Sequence, residues 1–95
     1  MENTIDELIE MLNDKDDFVV EDAKGQLELK GEEAVDPLID ALSSRKKNIR
    51  LNAATLLGAI DDEKAIPALE KLLDDESGYV KSGAQSAIAT IQRKA

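Results

Sequence analysis

The stretch AVDPLIDAL at residues 34–42 returns as AIPALEKLL at residues 65–73, thirty-one residues later. A pattern rewritten at a fixed period of this size confines a chain to architectures that stack copies of one supersecondary unit. Three segments superimpose, 4–33, 34–64 and 65–95, and their apolar positions coincide. In the first half of each unit these are Ile5, Val35 and Ile66, then Leu8, Leu38 and Leu69, then Leu12, Leu42 and Leu73. In the second half they are Val19, Ile49 and Val80, then Ala23, Ala53 and Ala84, then Leu27, Leu57 and Ile88. The steps are 30 and then 31 residues, with the extra residue near Gly58–Glu63.

Each unit reads as two amphipathic helices. Ile5, Leu8, Ile9 and Leu12 mark the first at i, i+3, i+4 and i+7. Thr4 with Glu7 three places on forms a capping box. Pro37 and Pro67 stand early in their helices, where a missing N–H is least costly. Polar stretches (NDKDD, SSRKK, DDESG) interrupt the apolar stripe in each unit. The spacing predicts six helices, at 4–13, 17–30, 33–43, 47–60, 63–74 and 78–93. A pair of this size cannot bury its apolar face alone, so the three pairs stack into one domain spanning 1–95.

Composition narrows the chemistry. The chain has no Cys and no His, so disulfides, thiol chemistry and the commonest general base and transition-metal ligand are all absent. We therefore expect no enzyme activity, no cofactor and no metal. An acidic run invites a search for Ca²⁺ loops, but from Asp14 the fifth position is Phe18 and the twelfth Gly25, and from Asp74 the twelfth is Gln85. Neither fits the ligand spacing that such a loop needs. The net charge of −9 excludes nucleic acid and anionic membranes as partners. No apolar run has the length of a membrane span and no secretory leader is evident, so the expected location is the cytoplasm.

Residues such as Ile49–Arg50, Ala53–Ala54, Leu57–Gly58–x–Ile60, Asp62 and Ala65–Ile66–Pro67–x–Leu69 carry a resemblance. They look like the short HEAT-like repeats named after the phycobilisome lyases. The third unit keeps Val80–Lys81 and Ala84 but has Ile88–Ala89 for Leu–Gly. The first departs most, with Val20 at the basic position and Glu28 at the Gly. The resemblance implies an all-α, right-handed α-solenoid of three helix pairs whose second helices line a concave surface. It also implies a protein-binding scaffold, or alternatively a lyase-like accessory enzyme or chaperone acting on a tetrapyrrole-bearing partner.

Candidate binding residues follow from two patterns. On a wheel for residues 47–60 the core side is Ile49, Ala53, Leu57 and Ile60, and the ridge looking away carries Asn48, Leu51 and Thr55. Its equivalents are Phe18, Glu21 and Gly25 in the first unit and Tyr79, Ser82 and Ser86 in the third. Both aromatics of the chain thus share one repeat position with Leu51 on the same ridge, either as local packing over the helix turn or as anchors for a partner protein or peptide. Charge supplies the second pattern: residues 1–33 hold 12 acidic and 3 basic side chains, whereas 34–64 hold 5 of each and 65–95 hold 4 of each. The first unit is either a polar end-cap or, through Asp14, Asp16, Asp17, Glu21, Asp22 and Glu28, a dock for a basic partner. The small residues of the last helix, Ser82, Gly83, Ala84, Ser86, Ala87 and Ala89, serve either the chain's own packing or a weak homodimer. Gly83 is expected to permit close backbone approach. Arg50 and Lys81 are expected to pair with turn acids between units, as exposed salt bridges of about 0–1 kcal/mol.

Overall fold

The computed structural model describes residues 2–93, so the last two residues of the third unit lie outside the described part. Six α-helices and no strand occur among the described residues: α1 (Ile5–Met11), α2 (Asp17–Lys30), α3 (Glu32–Ala41), α4 (Lys47–Ile60), α5 (Ile66–Lys71) and α6 (Gly78–Gln92). The capping box forms as read: the Thr4 hydroxyl accepts from the Glu7 N–H at 3.1 Å, and the Glu7 carboxylate accepts from the Thr4 N–H at 2.8 Å. The three turns that launch α2, α4 and α6 share one device. Asp14, Ser44 and Asp75, at equivalent places, each accept the N–H two residues on, from Asp16, Lys46 and Ser77 at 2.8, 3.1 and 2.9 Å. Such side-chain-to-backbone bonds hold the chain out of helix and so set where the next helix begins.

Besides shifts of one or two residues at the ends of α1 and α6, two helices differ from the expectation. Gly31 takes φ +55° and serves both as the end of α2 and the start of α3, a joint that favours Gly because a side chain there is strained. Because α3 begins at Glu32, Pro37 stands inside the helix rather than in its first turn. The fifth helix is not continuous over 63–74. A six-residue α5 is flanked by 3₁₀ turns at Glu63–Ala65 and Leu72–Asp74. Pro67 has no N–H to return to the preceding turn, and that turn closes instead with i→i+3 geometry, Ala65 N–H to the Asp62 carbonyl at 3.0 Å.

The pairs α1–α2, α3–α4 and α5–α6 stack side by side over one continuous core of Leu, Ile, Val and Ala, in a molecule of 37 × 27 × 19 Å. The central helix α4 touches both α2 and α6, so it buries more than one stripe: Ala54, Leu56 and Gly58 are covered in addition to Ile49, Ala53 and Leu57. Its seam with α6 is the closer one. A Cβ on Gly58 would lie 3.0 Å from both Cα and Cβ of Ala87. Against α2 the equivalents are Glu28 and Leu56, and that seam is the looser one.

Core expectations change at several places: Ile5, Ile60, Ile66 and Ile88 pack against the core only half-buried, and three further residues differ. Leu73 is 38% exposed while its neighbour Leu72 is buried, because the 3₁₀ turn rotates Leu72 inward. Among the described residues nothing covers Leu73 as the next pair covers Leu12, whose carbonyl accepts from the Asn52 amide at 3.0 Å. Val19 is only half-buried, unlike Ile49 and Val80. Arg50, read as one side of an exposed pair, is 8% exposed. It does meet a turn acid, Asp75, through two bonds of 3.0 and 3.2 Å, and its remaining nitrogen donates to the Ser44 and Arg45 carbonyls. Lys81 is exposed and forms no salt bridge with the described residues.

Candidate interaction surface

Phe18 and Tyr79 are each the second residue of their helix, α2 and α6. At that place a side chain on the outer face has no preceding helical turn to lie against, and both rings stand clear of the core at 86% and 74% exposure. Between α4 and α6 runs an open groove of about 410 Å³. Its walls include Leu51 and Thr55 from α4 and Tyr79, Ser82, Ser86 and Thr90 from α6. Gly58, Gly83 and Ala87 line it where the helices come close. Every lining residue is uncharged. Thr55 and Thr90 turn their hydroxyls back to the carbonyls of Leu51 and Ser86, at 3.0 and 2.9 Å. Among the described residues the hydroxyls of Tyr79, Ser82 and Ser86 make no bond within the chain, so they are available to a ligand.

Five of the ridge residues singled out in the sequence therefore meet in one place: Leu51, Thr55, Tyr79, Ser82 and Ser86. Leu51 is half-buried, its Cδ1 lying over Gly83. Gly83 thus admits a side chain, and the close backbone approach belongs to Gly58. The small residues of α6 divide by burial. Ala84 and Ala87 are buried in the chain's own packing, while Ser82, Ser86 and Ala89 are exposed.

Glu21 and Glu28 lie elsewhere, around a second hollow on α2 with Asp22, Gly25, Gln26 and Leu29. Phe18 lines neither hollow. Leu29, 89% exposed, was missed in the sequence. Its signal was an apolar residue off the Ala23–Leu27 stripe, where the other units have Ala59 and Thr90.

The chemistry available here is recognition by shape and hydrogen bonding. Among the described residues no group of three or more acidic, His or Cys side chains could hold a metal ion. The two side chains with displaced pKa values, Lys64 and Asp75, line neither the groove nor the α2 hollow. Lys64 is raised by its bond to the Asp36 carboxylate, an ion pair at 3.0 Å on the open surface. No helix among the described residues is long and apolar enough to cross a membrane.

Residues 5–89 match the family model for HEAT repeats, and no curated protein matches the chain. The chain belongs to the HEAT-repeat family.

Proposed function

We propose, starting from membership of a family whose repeats generally mediate protein–protein contact, that the three helix pairs act as one non-enzymatic scaffold domain. The face formed by α2, α4 and α6 takes a partner protein or peptide. The observation that carries this reading is the uncharged α4–α6 groove with Tyr79 at its rim, free of the core, and Phe18 standing equally free on α2. Large aromatic side chains left in water contribute nothing to folding, and they supply much of the binding energy when a partner covers them.

The tetrapyrrole-handling alternative needs cationic side chains to meet the propionates. The groove has none and the hollow on α2 is acidic, which speaks against it. Affinity capture with wild type and with the Phe18→Ala/Tyr79→Ala variant tests the proposal. The variant should keep the wild-type Tm within a few degrees and lose specific partners. Capture of the same partners by both chains would refute the assigned face, and a large spectral shift on titrating a bilin would revive the alternative.

A further inference from the structure

We infer that the hollow on α2 accepts a lysine or arginine side chain of the partner that occupies the α4–α6 groove, an inference that rests on the reading above. Gly25 is the starting point. It lies in the middle of α2, where Gly is the poorest helix former after Pro. A Cβ at this position would meet nothing within 4 Å, so packing within the chain does not call for Gly. Gly58 and Gly83 differ, since Cβ atoms there would press on Ala87 and Leu51. The bare backbone at Gly25 instead lines a hollow of about 560 Å³.

The surroundings of that hollow select its occupant. Leu29 offers an apolar surface that none of the described residues covers. Glu21 is met by Lys24 at 3.3 Å, and Asp22 accepts from the Gln26 amide at 2.7 Å. Glu28, also at the hollow, has no ion-pair partner among the described residues. An acidic side chain entering here would be repelled, and a purely apolar one would strip water from carboxylates without replacing it. Lysine and arginine satisfy both halves, laying their methylene stem along Leu29 and the Gly25 backbone and presenting the cation to Glu28 and Glu21. The partner segment then carries apolar residues for the groove and a basic residue directed at α2.

Panning a random-peptide phage library on the full chain, then measuring selected peptides by fluorescence polarisation, tests this. Selected peptides should pair apolar residues with at least one Lys or Arg. Gly25→Gln, which fills the hollow with a better helix former, should raise the Tm yet weaken these peptides tenfold or more. Glu28→Gln, which keeps shape and removes charge, should weaken them severalfold. Peptides without basic residues, or affinities unchanged in both variants, would overturn the inference. If Tyr79→Ala abolishes binding while Gly25→Gln and Glu28→Gln leave it intact, the groove reading stands and the basic occupant falls. Indifference to Tyr79→Ala, or a library yielding no peptide, would defeat both.

Discussion

Arg50 shows how much a single side chain depends on its setting. With one nitrogen on two carbonyls of the turn before α4 and a two-point bond to Asp75 before α6, it ties two successive helix pairs together. Both side chains are 10% exposed, so removing one partner strands a buried charge and costs about 3–5 kcal/mol. Arg50→Lys keeps the charge but not the planar fork, and thermal melts should place it well below wild type. Burial alone would push the Asp75 carboxyl up, but the Ser77 N–H and the Arg50 guanidinium outweigh burial and hold it below its ordinary 3.8. A carboxyl lowered on folding stabilises the fold above its unfolded pKa, and that contribution is lost as pH falls through the folded value. Wild type should therefore lose Tm on acidification below about pH 4, and Asp75→Asn should lose less over the same range. Glycine gives a second contrast. Gly58→Ala drives a methyl onto the Ala87 backbone, an overpacking of about 1–3 kcal/mol against a helix gain of about 1. Gly83→Ala meets only the end of the Leu51 side chain, which can rotate away. Differential scanning calorimetry should find the first variant destabilised and the second at or above wild type.

Helices of six to fifteen residues do not persist alone in water, so each element here depends on its neighbours. The dependence is unequal. The seam between α4 and α6 is close because Gly58 faces Ala87, and Arg50–Asp75 bolts it at one end. The seam between α2 and α4 has Glu28 and Leu56 in those places, and α4 is tied to the first pair through α1 instead, by the Asn52 amide to the Leu12 carbonyl and by an exposed Lys46–Glu10 pair at 3.4 Å. Exposed pairs of that kind contribute about 0–1 kcal/mol. Residues 34–95 should therefore keep a cooperative melt by circular dichroism, whereas residues 1–64, deprived of the tight seam, should lose most of their helicity. A native-like melt from 1–64 would contradict this order of strength.

Across the whole molecule, charge and neutral surface are kept apart. The entire net charge of −9 falls within residues 1–33, and the groove on α4 and α6 has no charged lining residue. A partner engaging both surfaces binds partly by attraction over a distance and partly by contact. Raising salt from about 0.1 M to about 1 M shortens the screening length from about 10 Å to about 3 Å. Association with wild type should slow and weaken over that range. The Glu28→Gln variant should show a shallower salt dependence, measured by surface plasmon resonance.

Periodicity by itself determined that this chain is a stack of three helix pairs. Leu8, Leu38 and Leu69, or Ala23, Ala53 and Ala84, can share one environment only if the unit around them is repeated in space, and all six are buried. The Thr4 capping box was legible for the same reason, as were the shared face of Leu51 and Thr55 on α4 and that of Tyr79, Ser82 and Ser86 on α6, since each is set by spacing along one helix; that the two faces meet in one groove, and that Phe18 and Glu21 stand apart from it, was not. Tertiary structure decided whatever depends on a second element. Arg50 is buried because Asp75, twenty-five residues on, arrives beside it. Leu73 is exposed because a 3₁₀ turn carries Leu72 into the core in its place. Gly58, Gly83 and Gly25 are one letter in the sequence and three situations in the fold, against backbone, against a side chain and against open solvent. A repeat pattern specifies which face of a helix is apolar, but the distance between two helices is set by the bulk of both partners at their point of contact.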